Sequence, residues 1–162
     1  MEIELKLLVT AEDLARISRA GAVVDAREGQ GGLRRLHTVY FDTPGQLLRR
    51  HQVALRVRRS GGKWIQTIKG AGAEVGGLSS RTEIEWILPD STPDLDCLAE
   101  TPFAKLFERA EVRRDLAPAF ETTFRRRTID LQLPLGVRAQ LCLDRGEILA
   151  GVEREPICEA EI

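Results

Sequence analysis

The chain opens on Glu2-Ile3-Glu4-Leu5-Lys6, where charged and apolar residues alternate, and continues into the apolar run Leu7-Leu8-Val9. Alternation at a period of two predicts a β-strand, because successive side chains point to opposite faces. Glu2, Glu4 and Lys6 then share one face, and Ile3, Leu5 and Leu7 the other. The pattern recurs. Residues 53–59 set Ala54, Arg56 and Arg58 against Val53, Leu55 and Val57, and Ser60-Gly61-Gly62 predicts a hairpin. The return strand, 63–69, sets Thr67 and Lys69 against Trp64, Gln66 and Ile68. Residues 81–88 set Arg81, Glu83 and Glu85 against Thr82, Ile84 and Trp86.

Other strands read from the same signal. Residues 36–43 end at the turn sequence Asp42-Thr43-Pro44-Gly45. Residues 119–133 place Phe120, Thr122, Phe124, Arg126 and Thr128 on one parity. Residues 137–144 are their expected hairpin partner, with a turn at Arg145-Gly146, and 157–162 carry Glu159 and Glu161 on one face. Helical signals are shorter. Thr10-Ala11-Glu12-Asp13 resembles a capping box, Leu14, Ile17 and Ser18 form a modest stripe, and Gly21 is the expected stop. Residues 46–51 predict a single helical turn. Residues 95–111 predict a helix that buries Leu98, Phe103, Leu106 and Phe107. The polar 27–32 and the glycine-bearing 70–80 read as loops, the latter mobile and without the GKS or GKT ending of a phosphate loop.

Composition narrows the class. A chain of 162 residues suits one domain with a real core, and 43% hydrophobic with 30% charged residues indicates a globular protein. The net charge of -1 gives no global field toward nucleic acid or an anionic membrane. The apolar runs are too short to cross a bilayer and the acidic start is unlike a signal peptide, so the expected location is cytoplasmic. Cys97, Cys142 and Cys158 fit neither a disulfide framework nor a zinc pattern and are expected to be reduced structural thiols.

The charged faces change the picture when taken together. An open sheet with one solvated face accounts for any single strand. Two features favour another arrangement: the charges are unusually regular, and Trp64 and Trp86 on the opposite faces imply that the apolar sides pack against helices. A sheet curled with its charged sides inward satisfies both and makes a polar-lined barrel. Such an interior is costly unless its charges are paired, hydrated or matched by a ligand. Arg and Lys ask for an anion of several charges, and the carboxylates for a hard divalent cation. A chain of phosphates with metal answers both.

An ordered set of motifs carries a resemblance across nearly the whole chain. It comprises Glu2-x-Glu4-x-Lys6, Tyr40-Phe41-Asp42-Thr43, Ala54-Leu55-Arg56-Val57-Arg58, Gln66-Thr67-Ile68-Lys69, Arg81-x-Glu83-x-Glu85, Phe124-x-Arg126, Leu143-Asp144-Arg145-Gly146 and Glu159-x-Glu161. The set resembles the CYTH family, or triphosphate tunnel metalloenzymes. Within it the chain is most similar to bacterial inorganic triphosphatases, whose CYTH domain is often followed by a helical CHAD domain. The resemblance implies an α+β, mainly antiparallel β fold: an eight-stranded tunnel with flanking helices that binds triphosphates with Mg²⁺ or Mn²⁺. The family pattern continues past Glu161 into a helix, whereas this sequence ends at Ile162, so the last part of the tunnel is expected to be missing.

The same resemblance implies the roles. Lys6, Arg56, Arg58, Lys69 and Arg126 are expected to hold phosphate oxygens, and Arg81 either to do so or to pair with Glu83 and its neighbours. Glu2, Glu4, Asp144, Glu159 and Glu161 are the expected metal ligands, and Glu4, Lys6, Glu83 and Glu85 the expected participants in the chemistry. Asp42 reads as a turn cap and Tyr40 as core, while Arg125 and Arg127 fall on the parity opposite to Arg126, toward solvent. His37 and His51 show no arrangement for nucleophilic catalysis. The activity implied is hydrolysis of inorganic triphosphate to pyrophosphate and phosphate. The alternatives are a nucleoside or thiamine triphosphatase, a class IV adenylate cyclase, or a module that binds polyphosphate without hydrolysing it. RNA binding is disfavoured by the near-zero net charge.

Overall fold

Eight alternating strands build a wall with two unlike faces, and the wall closes on itself. The computed structural model describes the backbone of residues 2–75 and 78–162, and side chains outside residues 1–3 and 71–82. The strands are β1 (Glu2–Leu8), β2 (Gly32–Asp42), β3 (Ala54–Ser60), β4 (Lys63–Val75), β5 (Leu78–Leu88), β6 (Ala117–Gln132), β7 (Arg138–Ala150) and β8 (Glu153–Glu161). They form a closed barrel in the order β1-β5-β4-β3-β2-β6-β7-β8, every pair antiparallel. The expected antiparallel tunnel is thus present. Its seam is the pairing of Lys6 with Glu161 and Leu8 with Glu159. Leu5 and Ile162 exchange backbone hydrogen bonds of 2.8 and 3.0 Å beside it. Closure, expected to be incomplete, is made by this pairing.

Helices cover the outside. α1 (Ala11–Ile17) starts at the expected capping box, with Asp13 N donating to Thr10 Oγ1 at 3.1 Å. Gly21 does not end this helix; it opens a second, α2 (Gly21–Ala26). α3 (Leu47–Arg50) is the predicted single turn. The helix expected over 95–111 is broken into a 3-10 turn (Asp96–Glu100), α4 (Ala104–Phe107) and α5 (Ala110–Asp115). Pro102 explains the break, because it holds Thr101 extended, at φ -101 and ψ 162, and supplies no N–H. Leu98, Leu106 and Phe107 are buried as expected, and Phe103 is partly buried.

These pieces bury the outward faces in two clusters. Leu48, Leu55 and Ile68 pack with Leu98, Phe107 and Val112 on one side. Leu14 packs with Ile129, Leu131, Leu141 and Leu143 on the other. Gln66, fully buried on the outward face, is satisfied by the Asp94 backbone: its amide donates to the carbonyl at 2.8 Å and accepts from the N–H at 2.9 Å. Among the described residues, no helix is long and apolar enough to cross a membrane.

Two glycine signals mislead in sequence. The loop expected at 70–80 is largely strand, since β4 and β5 pair from Gly72–Arg81 to Val75–Leu78, and β1 pairs with β5 over the same stretch. Gly70 serves close approach instead: a Cβ there would strike the Phe103 ring. The turn expected at Arg145-Gly146 is also absent, because β7 runs through it, paired to β6 by Arg125–Arg145 and Phe124–Gly146. A Cβ at Gly146 would collide with the Thr123 carbonyl oxygen and Phe124 Cα. Gly146→Val should therefore lower stability by about 1–3 kcal/mol in urea unfolding. Gly32→Ala, with open space around its Cβ, should stay within about 0.5 kcal/mol of the parent. Equal costs at the two positions would contradict the close approach.

Candidate functional site

The inward faces enclose a cavity of about 1100 Å³. Alternation decides what lines it: Glu4 and Lys6 from β1, Arg56 and Arg58 from β3, Lys69 from β4, and Glu83 and Glu85 from β5. Arg126 from β6, Asp144 from β7, and Glu159 and Glu161 from β8 complete the charged set. All of these expected site residues converge on one lumen. The side chains of Glu2 and Arg81 lie outside the described residues. Arg125 and Arg127 face outward, as their parity requires.

The charges form two networks. On the β6-β7-β8-β1 side, Arg126 grips Asp144 with two hydrogen bonds, of 2.9 and 2.6 Å, and donates to Glu161 at 2.6 Å. Lys6 lies 2.6 Å from Glu161 and 3.1 Å from Glu159. On the β3-β4-β5 side, Glu83 is shared by Arg56 at 3.1 Å and Lys69 at 2.6 Å. Arg58 lies 3.5 Å from Glu85, which also accepts from the Thr67 hydroxyl at 3.0 Å. A planar guanidinium suits the two-pronged grip on Asp144, and the flexible ammonium of Lys6 spans two carboxylates.

Burial and neighbours push these groups apart. Burial raises the Asp144 carboxyl, Arg126 counters only part of this, and the nearby Glu161 and Glu159 push the same way as burial. Burial would also raise Glu161, but hydrogen bonding from Lys6 and the charge of Arg126 hold it below the ordinary glutamate value. Burial would lower Lys6, yet Glu161 and Glu159 hold it well above the ordinary lysine value. On the other wall, burial and the neighbouring Arg56 cation lower Arg58. Burial would lower Arg56 as well, but Tyr40, Glu83 and Glu85 hold it above the ordinary arginine value.

Both networks have a chemical fit. Asp144, Glu159 and Glu161 each offer an oxygen within 4.8 Å of the others, a hard donor set suited to a divalent cation such as Mg²⁺ or Mn²⁺. Glu4 lines the same cavity outside that group of three. Among the described residues, the buried side-chain nitrogen and oxygen atoms without a hydrogen-bond partner are Arg56 Nε, Arg58 Nε and Thr122 Oγ1. All three belong to lumen-lining residues. Buried orphan donors on one wall fit an anion rich in acceptors.

Uncharged residues line the lumen beside the charged set. Tyr40, read as core, lines the lumen and stacks on Phe120 with ring centroids 4.4 Å apart. Phe124 lies under the Arg126 guanidinium at 5.6 Å. Thr38 and Thr122 face the same space. Phe120, Thr122 and Phe124 share the parity read for Arg126, so Tyr40 and Thr38 on β2 are the additions. Asp42 caps α3 as expected, accepting from Leu48 N at 2.9 Å and Arg49 N at 3.1 Å. His37 contacts Glu121 at 2.7 Å. Arg126→Met would leave Asp144 buried beside two other carboxylates, and should cost about 3 kcal/mol of stability in denaturant unfolding. Arg126→Met combined with Asp144→Leu should recover part of that loss, whereas no recovery would show that the pair is not the source.

Comparison with known proteins places this geometry. The CYTH domain matches residues 1–162. The chain is 30% identical over 162 residues to the inorganic triphosphatase of Haemophilus influenzae, covering 99% of this chain and 44% of that protein. It therefore spans less than half the length of that relative. A Hippeastrum adenylyl cyclase candidate with a dominant triphosphatase activity superposes with a TM-score of 0.54 at 21% identity, over 100% of this chain and 80% of that one. An adenylate cyclase candidate from Bacillus halodurans gives 0.58 at 22% identity, over 99% and 79%. The PH1012 protein of Pyrococcus horikoshii gives 0.56 at 20%, over 100% and 78%. At such identities these structures share the fold. A full-length domain match on eight strands closed around a charged lumen makes the chain a member of the CYTH family.

Proposed function

We propose that this chain is a metal-dependent triphosphatase that hydrolyses inorganic triphosphate to pyrophosphate and phosphate. One observation carries the reading: the lumen opposes buried orphan donors on Arg56 and Arg58 to the converging carboxylates of Asp144, Glu159 and Glu161. Its likeness to an inorganic triphosphatase supports the choice of substrate.

In this reading Lys6, Arg56, Arg58, Lys69, Arg81 and Arg126 hold the phosphate oxygens. Asp144, Glu159, Glu161, Glu4 and Glu2 are the residues that hold Mg²⁺ or Mn²⁺. A bound cation supplies charge neutralisation on the phosphates and lowers the pKa of water at the site. A carboxylate among Glu4, Glu83 and Glu85 orients the water for in-line attack on the terminal phosphorus. The new P–O bond forms as the anhydride bond breaks, pyrophosphate leaves, and the water's proton passes to the carboxylate. The guanidinium groups stabilise the charge that gathers on the leaving oxygen.

A second reading, an organic triphosphate as substrate, has its own observation. An apolar pocket of about 710 Å³ shares Tyr40, Phe120 and Ile148 with the lumen. A ring carried by the phosphate chain would lie against the Tyr40–Phe120 stack.

Phosphate release from tripolyphosphate should require Mg²⁺ or Mn²⁺ and fall about 100-fold in Glu161→Gln. Release that persists in a chelator, or is unchanged in that variant, would contradict the metal-dependent site proposed here, and no release from the folded chain would contradict the hydrolase. Tight binding without turnover would instead indicate a polyphosphate-binding module. ATP and thiamine triphosphate run in parallel decide the second reading: a higher kcat/KM for either, reduced about tenfold by Phe120→Ala, would move the substrate to an organic triphosphate. Cyclic AMP as the product from ATP would mark a cyclase.

A further inference from the structure

The outer face of the strands that carry Arg126 and Asp144 holds a second charged region. A cleft of about 640 Å³ lies between the α1–α2 pair and the β6–β7 wall. Arg19, Arg27, Arg125, Arg127 and Arg145 line it, with Leu33 and Val24 at its edges and no carboxylate among its lining residues. Register extends the cationic row: Arg35 of β2 stands opposite Arg125 of β6, which stands opposite Arg145 of β7.

Like charges set directly opposite one another across strands are destabilising, so folding does not explain the row. The whole chain has a net charge of -1, so the cluster is a local concentration of positive charge and not a reflection of composition. Two of its guanidinium groups are held in place, Arg19 by the Ala15 carbonyl at 3.0 Å and Arg27 by the Ser18 carbonyl at 3.2 Å. Each keeps further N–H donors for a ligand.

We propose that this cleft is a binding site for linear inorganic polyphosphate, separate from the lumen. Guanidinium groups grip phosphate oxygens in pairs. Strands about 4.8 Å apart spread Arg35, Arg125 and Arg145 over roughly 10 Å, which fits a chain of successive phosphates better than a single ion. No aromatic side chain lines the cleft, so it has no platform on which nucleic-acid bases would stack. Phosphates without bases are the better match. The inference does not require the lumen to be a hydrolase.

The test is fluorescence anisotropy of end-labelled linear polyphosphate with the folded chain, in EDTA so that the metal the lumen is proposed to need is absent. Binding should persist, weaken as sodium chloride is raised, and fall about tenfold in Arg125→Ala/Arg145→Ala. The same variant should keep its metal-dependent turnover of tripolyphosphate and hold or raise its Tm, because it relieves repulsion. Arg19→Ala/Arg27→Ala, on the helical side, should show the same loss and serves if the first variant does not fold. Unchanged polyphosphate affinity in a folded variant would overturn the proposal. So would a labelled single-stranded RNA that binds as tightly as polyphosphate and loses affinity in the same variants. Turnover is read separately, so failure of the cleft and failure of the lumen reading are distinct results.

Discussion

Charges of both signs inside a closed wall must be compensated, and the rest of this structure follows from how that is done. Arg126 is the hinge of the arrangement. It joins Asp144 to Glu161, Lys6 joins Glu161 to Glu159, and the chain of ion pairs ties β6, β7, β8 and β1 together on the lumen side. The barrel seam between β8 and β1 falls inside this network, since Lys6 and Glu161 are register partners as well as ion partners. Replacing such a network by apolar residues is often neutral or stabilising for folding, so its presence points to function.

The opposite wall leaves donors over. Among the described residues, Arg56 pairs with Glu83, Arg58 stands beside Arg56, and one guanidinium nitrogen of each arginine is buried without a hydrogen-bond partner. In the proposed reading, a ligand carrying several anionic oxygens meets those donors and a divalent cation meets the carboxylates. The two demands sit across one cavity, which makes the paired ligand more economical than either alone. The outward faces of the same strands solve an unrelated problem, burying Leu55, Ile68, Ile129 and Leu143 beneath helices.

Much of this was legible in the chain because a period of two is an unambiguous geometric statement. Once Glu4 and Lys6, Arg56 and Arg58, and Glu159 and Glu161 are seen to repeat it, the charged lumen follows. What stayed hidden depends on contacts between distant segments. Gly146 reads as a turn until the approach of Phe124 is known, and Gly70 as a loop until Phe103 is placed over it. Pro102 was the one local sign that the helix after Leu95 must break. Tyr40 was invisible as a lining residue because an aromatic on a strand is equally at home on either face.

The central claim is that the lumen takes an anion and a cation together. Thermal unfolding of the chain with tripolyphosphate alone, Mn²⁺ alone and both at once measures this directly, because a ligand bound only by the folded state raises Tm in proportion to its binding free energy. The account predicts that the shift with both exceeds the sum of the separate shifts, and that Glu161→Gln removes the excess. Shifts that merely add, or no shift with either ligand, would contradict it.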